Sequence, residues 1–294
     1  FSRSSVAYTS AGTQVAANVP RFGTGAFGDP DGAGLVEEGT TNRLSGSLDF
    51  VTGWESFSGA STIVTPGQAD PFGGTKAYRI QITGGTSTAK YLRWVDTPSV
   101  NGQAYSLQVW VKVPTGAPPV IVHSNIGSGI TVTSADGWKK VQITGTGDGI
   151  GFVGLLFLAQ NATDNLDFYA CFPQIENKPY CTSWHDGTRS PETLTIPTAG
   201  VLNKDEGTIA LWINPITVQS WNNFFGMDIS TGRFLLYFNN NGMVFWDYGP
   251  VDSWLATGAG VAVAGQWLHV AMRWSASKGS RELFVNGQYI GTRS

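Results

Sequence analysis

The sequence predicts an all-β protein: two β-sandwich (jelly-roll) domains preceded by an extended, irregular N-terminal segment. Three observations carry that prediction. Apolar residues recur with a period of two wherever they form runs, Gly, Pro and Asp break those runs every ten residues or so, and charge is scarce while aromatic rings are plentiful. A period of two sends successive side chains to opposite faces, which marks half-buried strands rather than helices. With 38 Gly, 14 Pro, 12% aromatic and only 13% charged residues, the chain is rich in turns and has rings enough for packed cores, so disorder is not expected. Its 294 residues suffice for two such cores.

Residues 1–46 hold few periodic apolar positions. They read as extended chain that wraps other surfaces or lies exposed. Residues 47–185 form the first predicted domain. Ala104 to Val113 alternates and places Tyr105, Leu107, Val109, Val111 and Val113 on one face. Trp138 to Thr144 and Leu166 to Glu176 behave alike, and Gly151 to Ala159 is apolar on both faces, as a covered central strand should be. The period breaks at about Thr182 to Glu192, which sets the boundary and leaves residues 186–294 as the second domain. There Ile209, Leu211 and Ile213 share a face, and Trp267, His269, Ala271 and Arg273 oppose Leu268, Val270, Met272 and Trp274. Asn286-Gly287 predicts a two-residue type I′ hairpin, because that turn needs positive φ twice and both residues tolerate it. Trp110, Trp138, Trp212, Trp267 and Trp274 read as core filler.

Composition also excludes partners. A formal net charge of −3 provides no basic field, so nucleic acid is not an expected partner. No apolar run approaches the roughly 20 residues of a membrane helix, so no membrane insertion is expected. Cys171 and Cys181 could form one disulfide, but a domain of this size does not need the staple, and they read as free thiols. The chain opens Phe1-Ser-Arg, without an initiating Met or a signal-peptide pattern, as a trimmed or processed product would.

Sugar binding is the better chemical hypothesis for the aromatic residues. Sugars stack their C–H faces on Trp and Tyr rings while polar neighbours take the hydroxyls. In the first domain the candidates are Trp54, Tyr91 and Trp94, the last two flanking Arg93. In the second they are Trp221, Trp246, Tyr248 and Trp254, in turn-rich sequence near Asn222, Asn223, Asp247 and Asp252. Packing or subunit contact is the competing reading, since aromatic residues also mark interfaces.

Three motifs place a family resemblance on residues 207–294. Gly207-Thr-Ile-Ala-Leu-Trp212, Trp267-Leu-His-Val-Ala-Met-Arg-Trp274 and Leu283-Phe-Val-Asn-Gly287 resemble, in order, the "G-(S/T)-I-x-x-W", "W-x-H-V-A-x-x-W" and "L-x-V-x-G" motifs of the laminin-G-like/concanavalin-A-like jelly rolls. Domains of that family usually continue beyond the hairpin. The stop at Arg293-Ser294 therefore carries the expectation of a C-terminally incomplete fragment, or of a neighbouring chain that supplies the missing strands.

Earlier segments resemble other proteins. Phe1-Ser-Arg-Ser-Ser-Val-Ala-Tyr8, Val15-Ala-Ala-Asn-Val-Pro-Arg-Phe22 and Gly34-Leu-Val-Glu-Glu-Gly-Thr-Thr-Asn42 resemble the leader of tailed-bacteriophage and prophage structural proteins. They depart from it at Arg43, where Leu is usual, and in the Gly-rich loop from Gly23 to Ala33. The first domain is similar to carbohydrate-binding-module jelly rolls, with Asp49-Phe50 and Trp54 followed by the three strands above. In phage proteins a segment like Pro179 to Arg189 follows as a linker.

These resemblances imply a non-enzymatic virion component, from a tail, fibre or exposed appendage, located on the particle surface and extracellular when free. Its implied partners are other virion subunits and a cell-surface glycan, with homo-oligomers expected, trimers by analogy. They also imply a candidate structural calcium, with Asp49 and Asp167 as ligands, and no other cofactor. Two alternatives remain: a decoration protein that binds no sugar, and the accessory binding region of a secreted bacterial glycoside hydrolase. Hydrolysis itself lacks its parts. Related glucanases take their two carboxylates from one strand, and no Glu-x-Asp-x-Glu occurs here. Asp205-Glu206 and Glu37-Glu38 read as solvated turn residues. His269 reads as a hydrogen-bonded structural histidine, and His123 and His185 carry less signal.

Overall fold

The alternating runs are strands in the computed structural model, which describes residues 3–4, 7–8, 14–19, 21–22, 34–35, 37–44, 46–56, 60–84, 91–161, 163–193, 200, 203, 205–215, 218, 220–229, 232–239, 242–248 and 253–293. Backbone contacts divide the chain into one unit of residues 1–195 and another of residues 196–294. Both are all-β. Among the described residues no helix is long and apolar enough to cross a membrane.

The first unit begins with short strands: β1 (Ala7–Tyr8), β2 (Gln14–Val15), β3 (Arg21–Phe22), β4 (Gly34–Leu35) and β5 (Thr40–Thr41). The sandwich follows with β6 (Trp54–Ser56), β7 (Ala60–Gln68), β8 (Ala77–Gly84), β9 (Tyr91–Pro98), β10 (Ala104–Lys112), β11 (Val120–Ser124), β12 (Gly127–Val132), β13 (Trp138–Thr146), β14 (Phe152–Ala159) and β15 (Leu166–Glu176). β16 (Thr188–Arg189) pairs back with β5. One five-stranded sheet runs β13-β10-β15-β8-β7 and the other β12-β11-β14-β9-β6, with antiparallel neighbours throughout. Their facing sides form a single apolar cluster. Leu107, Val109 and Val111 come from one sheet and Leu92, Val122, Leu155 and Phe157 from the other. Phe157 lies at its middle, with ring centroids 4.8 Å from Phe168, 5.9 Å from Trp54 and 6.0 Å from Phe50.

The opposite face of β10 is buried too, which alternation alone did not foretell. Ser106, Gln108 and Trp110 are buried there, the first two under residues that follow β15 and Trp110 against Phe72, with ring centroids 5.5 Å apart. Ser106 Oγ donates to the Tyr180 carbonyl and Gln108 Nε2 to that of Thr182. Cys181 is a free thiol there, and burial pushes its pKa up to about 11; Cys171 is free as well. A β-bulge in β15 shapes this cover. Between Gln174 and Cys171 the register against β10 shifts, and Phe172 takes a φ of 55°. The bulge is what admits Pro173 to a central strand, where a missing N–H would otherwise break the ladder. It also frees the Pro173 carbonyl, which accepts from Asn42 Nδ2 at 3.1 Å and Trp184 Nε1 at 3.3 Å.

The N-terminal segment closes over the same cover. Arg3 and Glu192 form an ion pair of 2.6 Å with both side chains fully buried, and Glu192 also accepts from the Glu37 N–H at 2.9 Å. Arg189, equally buried, donates to the Glu37 carboxylate at 2.9 Å, to Ser183 Oγ at 2.7 Å and to the Glu38 carbonyl at 3.0 Å. Glu38 in turn pairs with Lys178 at 2.7 Å and accepts from Tyr180. Two expectations are corrected here. Glu37 is not a solvated turn acid, because three donors of the 183–189 segment, the Ser183 N–H, the Ser183 hydroxyl and the Arg189 guanidinium, hold its carboxylate. The Pro179 to Arg189 stretch is not a free linker, because its polar groups satisfy those of the first sandwich. The contact boundary after Thr195 reflects that attachment.

His185 makes this clasp sensitive to acid. The ring is 1% exposed, and its Nδ1 faces the Ser183 carbonyl at 3.2 Å, which assigns the proton to that nitrogen. Burial holds its pKa below the ordinary imidazole value; Arg189 acts in the same direction, while the Ser183 carbonyl, Glu176 and Glu37 oppose it. A folded pKa below the unfolded one gives stability that is complete above about pH 6.5 and lost as pH falls toward the folded value. The melting temperature of the first unit should therefore drop between about pH 7.5 and pH 5, and His185→Phe should flatten that slope. Equal slopes in melts of both proteins would clear the histidine of this role.

The second unit is built from β17 (Glu206–Ile213), β18 (Asn222–Ile229), β19 (Gly232–Asn239), β20 (Gly242–Tyr248), β21 (Ser253–Ala256), β22 (Leu268–Ser275), β23 (Ser280–Val285) and β24 (Gln288–Arg293). Its sheets run β17-β22-β23-β24 and β18-β19-β20-β21. Leu268, Val270, Met272, Trp274, Leu283 and Val285 meet Leu236, Phe238 and Leu255 in its core. The Trp274 Nε1 finds the Asn203 carbonyl at 3.0 Å, as a buried indole should find a partner. Asn286 and Gly287 have φ of 50° and 78°, the doubly positive turn that joins β23 to β24.

Candidate functional site

Parity along β17 and β22 decides which rings meet water. Because Ile209, Ile213, Leu268, Val270 and Met272 point into the core, the alternate positions Thr208, Ala210, Trp212, Trp267, His269, Ala271 and Arg273 point away from it. Trp212 is 65% and Trp267 58% exposed, so the reading of these two as core filler is corrected. Trp212 stands directly opposite His269, with ring centroids 5.0 Å apart at 53°. His269, read as a hydrogen-bonded structural histidine, makes its hydrogen bonds to Asn286 through its backbone and contributes its ring to this surface.

A second ring pair lies across the same sheet face. Phe284 opposes Tyr289 at 5.5 Å, and Tyr289 is 54% exposed. Between the pairs the register runs Ala210, Ala271, Phe284, so two small side chains floor the space between larger ones. Arg273 lies 5.7 Å from the Phe284 centroid and pairs with Glu282, which supplies charged hydrogen-bonding groups at one end. The face thus combines flat apolar rings with a few convergent polar groups, the chemistry a sugar ring needs.

The candidates read from the sequence fall into four groups. Trp54 and Trp94 turn inward: Trp94 is 8% exposed, and Trp54 packs on Phe50 and Phe157 while its Nε1 donates to the Ser47 carbonyl at 2.6 Å. Neither offers a free ring face. Tyr91 is half-buried, with the Arg93 guanidinium 5.4 Å from its centroid, and Arg93 is held in turn by Glu55 at 2.9 Å. Trp221 is 64% exposed. Its ring lies parallel to that of the buried Tyr237, 5.1 Å away at 11°, which leaves its other face to solvent. Its φ of 69° is unusual for a bulky residue, and a hydrogen bond from its N–H to the Phe238 carbonyl at 2.8 Å holds it there. Trp246 and Trp254 are opposed in register and Tyr248 ends β20, but their side chains lie outside the described residues.

The two calcium candidates have other partners. Asp49 caps its own turn, accepting from Val51 N–H at 2.9 Å, Thr52 N–H at 2.7 Å and Thr52 Oγ1 at 2.7 Å. Although desolvation tends to raise its pKa, these hydrogen bonds hold it below the usual value. Asp167 binds Arg79 through both oxygens, at 2.9 and 2.7 Å. Among the described residues no three His, Cys, Asp or Glu side chains converge on a metal-sized site.

Comparison with known proteins bears on the second unit. Residues 187–294 match the family described as the concanavalin A-like lectin/glucanases superfamily. No curated protein matches the chain. Among solved structures, the CBM22-1 xylan-binding domain of Paenibacillus barcinonensis Xyn10C is similar over 49% of this chain and 95% of its own, at 19% identity and a TM-score of 0.32. The CBM22-1-CBM22-2 tandem of the same protein is similar over 84% and 88%, at 14% identity and a TM-score of 0.35. The enzymatically active domain of bacteriophage CBA120 tailspike protein 4 is similar over 45% of this chain but only 20% of its own, at 8% identity and a TM-score of 0.33. Likeness at this level carries no function with it.

Proposed function

We propose that the protein is a non-catalytic, glycan-recognising component displayed on a tailed-bacteriophage particle, and that it holds sugar on water-facing rings of its second unit. The exposure of Trp212, Trp221 and Trp267 carries this reading. Each such ring leaves a large apolar area in water, and a fold that needed them only for packing would turn them inward. A lectin-type sandwich with rings held on rigid strands suits recognition through shape. Several copies on one particle turn weak contacts into avidity. The acids argue for binding rather than hydrolysis, since Glu37, Glu55, Asp167, Glu192 and Glu282 are each engaged by an arginine. The virion part rests on the N-terminal resemblance, and the clasp gives that motif a physical use, because Arg3, Glu37 and Asn42 are its fastening residues.

The test is glycan-array binding by the multimerised protein, repeated with Trp212→Ala and Trp267→Ala. Each change should weaken binding about tenfold, or 1.4 kcal/mol, while the melting temperature barely moves, as for other exposed positions. If wild type binds no glycan and the substitutions instead split an oligomer, the rings are a subunit contact. Antibodies against the chain should decorate particles; finding it fused to a secreted hydrolase would sink the virion assignment.

A further inference from the structure

The first unit carries a groove of different chemistry. Trp138 of β13, Lys112 of β10 and Tyr169 of β15 stand directly opposite one another, and Arg79 of β8 continues the row. Opposed residues share a face of the sheet, here the one turned away from the buried Val111. A cavity of about 360 Å³ opens on it, lined by Trp138, Lys112 and Tyr169 together with Gln68, Thr115 and Ser134. Tyr169 is buttressed, with the Arg79 guanidinium 5.9 Å from its centroid and that arginine fixed by Asp167.

The charges of this region are unevenly matched. Arg79 is neutralised by Asp167, and Lys139 by Asp136 at 3.1 Å. Among the described residues no carboxylate lies within ion-pairing reach of Lys112, and none lines the cavity. Lys112 therefore leaves a positive charge at the groove with no carboxylate beside it, and an anionic ligand would be drawn to it. Its neighbours narrow the class of anion. The rings on either side suit the C–H face of a sugar, and two hydroxyls and an amide suit its hydroxyls.

We propose that this groove binds a saccharide bearing a carboxylate, with Lys112 as the counter-ion. The site is separate from the aromatic surface of the second unit and shares with it only the stacking of sugars on rings. Lys112 acts here as a point charge, so either oxygen of a uronate can meet it.

The experiment uses the whole chain and a panel of galacturonate, glucuronate-containing, alginate and sialyl oligosaccharides. Each is paired with its carboxyl-reduced, neutral counterpart. At least one acidic member should bind about tenfold more tightly than its neutral twin, with a preference that fades as salt rises. Lys112→Gln should abolish the preference and Lys112→Arg should keep it, with melting temperatures unchanged. Equal binding of every acidic and neutral pair, or a preference that survives in Lys112→Gln, overturns the proposal. So does displacement of the saccharide by inorganic phosphate at equal concentration, which would make this a general anion site. Trp212→Ala with Trp267→Ala should leave the acidic preference intact, so failure at one site is separable from failure at the other.

Discussion

Asn42→Ala should destabilise the first unit by about 4–6 kcal/mol, lowering its melting temperature by roughly 10–20 °C. Asn42 is 1% exposed and uses its whole amide. Nδ2 donates to the Pro173 carbonyl at 3.1 Å and the His185 carbonyl at 3.0 Å, while Oδ1 accepts from Leu44 N–H and Ile175 N–H, both at 3.1 Å. Alanine removes all four bonds in a place water reaches poorly; the Pro173 carbonyl keeps Trp184, while the Leu44 and Ile175 N–H groups and the His185 carbonyl lose their Asn42 partner, and each unmade bond costs about 1–3 kcal/mol. The lower part of that range applies if the cover loosens and lets water in. A thermal melt of the 294-residue chain measures the effect, and the second unit serves as an internal reference. A loss below about 1 kcal/mol would mean that the N-terminal segment is not fastened here.

Phe157→Ala should cost about 3–5 kcal/mol, the usual range for removing a fully buried ring. The residue is 0% exposed on the central strand of its sheet, opposite the buried Leu92 and Val122. Its neighbours Phe168, on β15, and Trp54, at the start of β6, are held in separate sheets, and Phe50 lies just before β6, so they close only part of the space left behind. Phe157→Leu should recover more than half of the loss, because it refills most of the volume. Denaturant unfolding of both variants checks this, and equal stabilities would show that the cluster repacks freely.

Much of the fold was legible because strand periodicity is local. Tyr105, Leu107, Val109, Val111 and Val113 are all buried on one side, as their alternation required, and Asn286-Gly287 turns where its φ tolerance said it would. The errors have physical causes. Periodicity says which residues share a face but not which face is inward. Residue type alone places Trp212 and Trp267 in the core, although their companions Thr208, Ala210 and Arg273 mark that face as the outward one. It likewise offers Trp94 as a sugar-binding ring, although Trp94 alternates with Tyr91 and Arg93 in the company of Leu92. The clasp was hidden for another reason: its partners lie 131 to 189 positions apart in stretches with no period to follow. The groove of the first unit was missed because it joins Trp138, Lys112 and Tyr169 from three separate strands, a pairing that only register reveals.

The Arg3–Glu192 pair has a mechanical side. Tension applied along the backbone on either side of the first unit would enter near Arg3 and leave near Glu192, so a single buried ion pair spans the two points of loading. Force would be shunted across that bridge and around the jelly roll, as a carabiner carries a rope's pull past whatever hangs from it. Single-molecule pulling should then record rupture of the bridge as an event distinct from unravelling of the strands.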